Sequence, residues 1–253
     1  VTEKMARGII ASFLGIALMT CAGCGGGGDG SESAQASNPG TTAPPQRTVV
    51  VDYYGDSTIW GTVSGHPGQQ YTKNPPVVLQ AELTRRCGFP VTVNNFAVPG
   101  TYASQLLYGS SEYGGLPFAK RMADSHADLV IPGGYGMNDA AGYADAPSFR
   151  FHMSELVRIA KESGKKVVME TPNPPVPDGT YTLPQQPATV AQFVPILRDI
   201  ATQQNVPIVD QYSPYLPPLI SEFPDGIHPS EDVAYQKAMR VADVIASIIC
   251  PAH

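Results

Sequence analysis

Apolar residues recur along the chain in two rhythms. Short β-branched or apolar runs at 48–51, 128–131, 166–170 and 206–210, with a partly alternating one at 91–98, read as strands. Between and after them stand stretches with a helical repeat, at 75–86, 101–107, 118–126, 149–163, 190–204 and 230–249. Val77, Val78, Ala81 and Leu83 give the first of these an apolar side; Pro75 and Pro76 suit its start and Cys87-Gly88 its end. The stretch 149–163 is amphipathic and stops at Gly164, and the last one opens on Ser230 with Asp232 in its first turn. Strands alternate with helices five times. That order predicts an α/β fold, a five-stranded parallel sheet with helices on both faces and right-handed crossovers, hence a three-layer sandwich. The segment 171–187 is Pro-rich and long for a connection, so it is expected to shape a binding rim.

The first part of the 253-residue chain does not follow this pattern. Lys4 and Arg7 precede an apolar run from Gly8 to Met19, and small residues follow, the order of a secretory signal over 1–24. The run is shorter than the about 20 apolar residues of a membrane span. Its end is similar to a bacterial lipoprotein signal, with two cysteines in competition. Cys21 has Leu18 three residues before it, whereas Cys24 follows the small pair Ala22-Gly23 and leads into a glycine tether, Gly25 to Gly28. Cys24 is the preferred lipidation candidate, and either would anchor the protein at a membrane. Ordinary secretion is the alternative to a periplasmic or cell-envelope lipoprotein. Residues 25–46 contain scarcely a large apolar side chain and read as a disordered Gly/Ser/Pro-rich linker. What remains, 47–253, is about 200 residues, a comfortable single domain.

The formal net charge is −6, and the signal region carries +1 of opposite sign. An acidic domain without a basic run offers no footprint for nucleic acid. No spacing among His, Cys and carboxylates suggests a metal site, and no cofactor is expected.

The chemistry collects just past the strand ends. Gly55-Asp56-Ser57 follows the first strand, Asn95 and Gly100 mark the end of the second, Gly136-Met137-Asn138-Asp139 follows the third, and Asp225-Gly226-Ile227-His228-Pro229 precedes the last helix. Each alone has a bland reading: Gly-Asp-Ser is a good turn, Asn138-Asp139 a good helix cap, and His228 a loop histidine. In a parallel α/β sheet, however, these strand ends share one edge and can meet in one cleft.

Taken in order, this set resembles the SGNH (GDSL-type) hydrolase family over about 48–229. Thr58 departs from the Leu of many members, at a variable position. The resemblance implies a serine esterase. Ser57 would be the nucleophile, His228 the base that takes its proton and returns it to the leaving group, and Asp225 the residue that orients His228. The oxyanion hole would comprise the backbone N–H groups of Ser57 and Gly100 and the side-chain amide of Asn138. Asp56 and Asp139 are expected to be structural. Tyr54, Trp60, Tyr102, Tyr135 and Met137 lie near the motifs and either line the pocket or pack in the core. The expected partner is a small-molecule or glycan ester. An O-acyltransferase of the same family and a non-catalytic cell-surface binding protein on the same fold are the rival readings. The resemblance also implies a flavodoxin-like layout with sheet order 2-1-3-4-5. There the first and last helices lie side by side and end at the edge opposite the site, which implies a Cys87–Cys250 disulfide rather than two free thiols.

Overall fold

A computed structural model describes residues 48–250. The expected signal, the linker, the lipidation candidates Cys21 and Cys24, Arg47 and His253 lie outside the described residues. Four strands form a parallel sheet in the order β2-β1-β3-β4: β1 is Val49–Tyr53, β2 Val91–Asn95, β3 Leu129–Ile131 and β4 Lys166–Val167. A second parallel pair joins β5, Met169–Glu170, to β6, Ile208–Val209. The expected fourth strand, 166–170, is therefore divided at Val168. Its N–H donates to Val130 O at 3.2 Å, whereas the next N–H, that of Met169, donates to Pro207 O at 2.9 Å. The chain thus changes partner from one neighbour to the other. The strand order is the expected one, with β4 and β5 together in fourth place.

Successive side chains of a strand face opposite ways, and here both faces are covered. In β3, Leu129 and Ile131 pack in one core with Val51, Leu79, Leu83, Val241 and Ile245, while Val130 packs in the other with Phe149, Met153, Leu156, Phe193 and Leu197. The first core lies under α2 (Pro75–Cys87) and α7 (Glu231–Ile249), the second under α5 (Ala146–Glu162) and α6 (Gln186–Gln204). Two sheet faces each carrying two helices make the three-layer sandwich. Phe149 and Phe193 stack with ring centroids 4.0 Å apart and hold α5 to α6. Full burial of such a ring contributes about 1.5–3 kcal/mol.

Helix boundaries follow their caps. Asn74 accepts the Val77 N–H at 3.3 Å ahead of α2, and Ser230 accepts that of Val233 at 3.4 Å ahead of α7. α5 begins at Ala146, earlier than its apolar repeat suggests, because Asp145 accepts the Ser148 N–H at 2.8 Å and Pro147 fits the first turn. α6 likewise begins at Gln186. Two shorter helices, α3 (Ala103–Tyr108) and α4 (Phe118–Asp124), follow β2. Among the described residues no helix is long and apolar enough to cross a membrane.

α2 ends in Cys87, and Cys250 follows α7; the two sulfurs are bonded, with Cα atoms 4.6 Å apart. Arg86 and Asp243 add an exposed ion pair between the same helices at 2.6 Å. Both helix ends lie at the edge where strands begin: Lys166 Nζ, at the start of β4, donates to Ile248 O at 3.1 Å.

Candidate active site

At the opposite edge β1 runs into Gly55, whose φ of +155° and surroundings exclude a side chain, since a Cβ there would lie 2.5 Å from Ile59. Asp56 follows in extended conformation and caps a single helical turn, α1 (Ser57–Trp60), by accepting the Thr58 N–H and Oγ1–H at 2.8 Å each. Ser57 thus opens a helix, where the first N–H groups have no intrahelical acceptor. The Asp56 carboxyl is fully buried. Burial pushes its pKa up against the hydrogen bonds from Thr58 and the positive field of Lys237.

Asp225 and His228 share one tight turn. Asp225 Oδ1 accepts the backbone N–H groups of Ile227 at 3.0 Å and His228 at 2.8 Å. Its Oδ2 accepts from Gly65 N and from His228 Nδ1, both at 2.8 Å. A carboxylate only accepts, so Nδ1 carries the ring proton and Nε2 is left as the acceptor. Nε2 lies 2.9 Å from Ser57 Oγ. Burial works to raise the Asp225 pKa, but the His228 ring and the Gly65, His228 and Ile227 N–H groups overcome it and hold the carboxyl well below the usual range. The group is therefore an anion poised behind the imidazole.

The turn is locked from outside. Gly226 has φ +96°, and a Cβ on it would lie 2.4 Å from Thr182 Oγ1 and 2.7 Å from the Gly179 Cα. Val176 N donates to Gly226 O at 2.8 Å and Tyr181 N to Asp225 O at 2.9 Å. The Pro-rich 171–187 segment is in this way laid along the turn, and the half-exposed Tyr181 ring stands edge-on to that of His228, centroids 6.4 Å apart. Ser64 supports the other side, its Oγ accepting the Asp225 N–H at 3.0 Å. Ser64, Gly65 and Tyr181 carried no recognisable signal in the sequence, because they lie in aperiodic loops and matter only through a turn far away in the chain.

Past β3, Asn138 Nδ2 donates to Thr101 O at 2.8 Å, using one of the two amide N–H bonds. Asp139 accepts the Ala103 N–H at 3.2 Å and the Gly136 N–H at 3.1 Å, tying the loop after β3 to the one after β2. Burial pushes its pKa up to about 7; the Ala103 N–H opposes this and the Asp56 charge reinforces it. Ser57, Gly100, Asn138 and His228 border one pocket of about 210 Å³, completed by Thr62, Pro67, Gly68, Pro99 and Ile227. The separate strand-end motifs thus do converge.

The five aromatic and Met candidates are elsewhere. Tyr54, Tyr135 and Met137 are buried in the α5/α6 core, Trp60 packs against the α2/α7 core, and Tyr102 stacks on Tyr143 at 4.6 Å. Their apolar bulk is used in packing, and the pocket wall beside the site residues is built instead of Thr62, Pro67, Gly68, Pro99 and Ile227.

Solved structures of the same fold include a lipase/acylhydrolase from Enterococcus faecalis, with 19% identity, TM-score 0.63 and coverage of 81% of this chain and 99% of that one. The aryl esterase of M. smegmatis matches with 19% identity, TM-score 0.63 and coverage of 79% and 100%. A carbohydrate acetylesterase from Sinorhizobium meliloti matches with 17% identity, TM-score 0.62 and coverage of 79% and 100%. No curated protein sequence matches the chain. The family model of GDSL-like lipases and acylhydrolases matches residues 53–234, from the end of β1 into α7 and so across every element of the site. The chain belongs to the GDSL-like lipase/acylhydrolase family.

Proposed function

We propose that the protein is a serine esterase acting on short acyl esters through an acyl-Ser57 intermediate, without a cofactor. The observation that carries this reading is the unbroken hydrogen-bonded line from Ser57 Oγ through the His228 ring to Asp225. Ser57 Oγ attacks the ester carbonyl as His228 Nε2 takes its proton, and Asp225 stabilises the resulting imidazolium. The oxygen that becomes negative is held by the Ser57 and Gly100 N–H groups and the second Asn138 N–H, where one such donor lowers the barrier by about 3–4 kcal/mol. His228 then protonates the departing alcohol. Water, deprotonated by the same imidazole, releases the acid and restores Ser57.

The pocket of about 210 Å³ is below the range of about 300–1,000 Å³ of drug-sized ligand sites, which favours acetyl and similarly short groups. A carbohydrate acetylesterase among proteins of the same fold makes glycan acetyl esters a second substrate class to test. An acyltransferase would use the same line of residues, with an alcohol in place of water. Product analysis with added alcohol or glycan separates the two. Export belongs to the same proposal, since a Cys87–Cys250 bond persists in an oxidising compartment.

The test is hydrolysis of p-nitrophenyl esters of increasing chain length by wild type and Ser57→Ala. Turnover that falls with chain length and vanishes in the variant supports the reading. Turnover retained by folded Ser57→Ala overturns it.

A further inference from the structure

Beneath the 225–228 turn lies a buried polar cluster that the proposed chemistry does not use. Lys237, on α7, is 2% exposed, and its Nζ donates to Asn173 Oδ1 at 2.7 Å. Asn173, fully buried in the segment after β5, donates from Nδ2 to Ile227 O at 3.1 Å. Ile227 immediately precedes His228, and its own N–H is held by Asp225 Oδ1. The peptide units flanking Ile227 are thus held from two directions, by the Asp225 carboxylate and by the Asn173 amide.

The ammonium decides which way that amide faces. A lysine only donates, so the Asn173 oxygen must point to Nζ, and the NH2 group is left for the Ile227 carbonyl. Without the cation the amide could turn over and set its oxygen against that carbonyl. The cation is itself fixed by its surroundings. Burial pulls its pKa down to about 8, while the Glu170 and then the Asp56 carboxylates hold it up and Arg240 opposes them. Glu170 is oriented by Tyr53, whose hydroxyl donates at 2.8 Å, and by Gln211, whose amide also bonds Lys237 O at 3.0 Å.

A buried charge is weak evidence for stability, because an apolar residue of like volume often serves as well. We infer that Lys237 and Asn173 are positioning residues of the active site: the ammonium sets the Asn173 amide, which holds the Ile227 carbonyl and so fixes the His228 imidazole between Asp225 and Ser57. The catalytic part of this inference rests on the esterase reading; the geometric part does not.

Asn173→Asp is the informative variant. It keeps an acceptor for Lys237 and the size of the side chain, and removes the donor to Ile227 O. Two readouts are taken on the full chain: kcat and KM on p-nitrophenyl acetate, and the low-field proton NMR resonance of the His228 Nδ1–H. Expected are a loss of kcat of about tenfold to a hundredfold with KM little changed, and a shifted or broadened resonance. Lys237→Met should lose a similar factor, and the double variant no more than the worse single one, as residues acting in series require. Wild-type kcat with a wild-type resonance in folded Asn173→Asp overturns the inference. So does a lowered melting temperature that leaves both readouts unchanged. If wild type turns over no ester, the esterase reading fails and the resonance alone decides: moved in Asn173→Asp, the positioning role stands; unmoved, it falls.

Discussion

Asp225 and His228 are bonded twice within one turn, carboxylate to backbone N–H and carboxylate to ring Nδ1, both at 2.8 Å. The first contact shapes the turn and the second fixes the tautomer. Asp225→Asn separates them. The amide oxygen can still accept from the Ile227 and His228 backbone, but its NH2 would face Nδ1 and the Gly65 N–H, giving up the Gly65 contact and driving the ring proton to Nε2, where the Ser57 proton has to go. The expected result is a fall in kcat of about three to four orders of magnitude in a protein that stays folded by circular dichroism. A loss of activity matched by unfolding would show instead that the turn itself had collapsed.

Asn138 tests the oxyanion site independently of proton transfer. One of its N–H bonds is committed to Thr101 O, and it borders the pocket with Ser57 and Gly100. Asn138→Ala should lower kcat by about a hundredfold to a thousandfold and leave KM nearly unchanged, since the lost contact strengthens only as charge develops. A rise in KM at constant kcat would assign Asn138 to ground-state binding.

Asp139 offers a stability signature with a defined sign. Its folded pKa, about 7, lies above the usual carboxylate value of 3.8, so the folded state binds the proton more tightly than the unfolded chain does. Its contribution is fully present in acid and is lost as pH rises through about 7. Asp139→Asn cannot titrate and can accept only one of the Ala103 and Gly136 N–H bonds. The variant should be less stable than wild type, and the gap should widen by about 1.4 kcal/mol per pH unit as pH falls from neutrality to about 5. Urea unfolding of both proteins at the two pH values measures it. A gap that narrows in acid would place the Asp139 pKa below the unfolded value.

Periodicity reveals what repeats, and the layers, the helix faces and the edge where the motifs meet all repeat. Ser57, Asn138, Asp225 and His228 were legible because the short motifs that hold them, each after a strand end or before a helix, together resemble one family's set. The four-residue helix at Ser57 is too short to show a period, and only its cap, Asp56, marks it. The division at Val168 leaves no trace, since Val167, Val168 and Met169 form one continuous apolar run, whichever neighbour the strand pairs with. Tyr54, Tyr135 and Met137 fit core and pocket equally well as residue types, and only the packing assigns them. Lys237 is the hardest to see. A lysine on an amphipathic helix ordinarily faces water, and its burial depends on Asn173, Glu170 and Asp56, all distant in sequence.

The Cys87–Cys250 bond joins helix ends at the edge where strands begin, whereas Ser57 and His228 stand where strands end. Stability and chemistry should therefore separate. Cys87→Ser/Cys250→Ser opens a covalent loop spanning a sequence separation of 163 residues. Loops of that length constrain the unfolded chain strongly, and removing the bond should cost about 2–5 kcal/mol. The Arg86–Asp243 pair between the same helices is exposed and offsets little of this. The expected outcome is a clearly lower midpoint in urea with kcat and KM on p-nitrophenyl acetate unchanged in the folded baseline. Loss of turnover below the transition would mean that the pairing of α2 with α7 also holds the site, by way of Lys237 on α7.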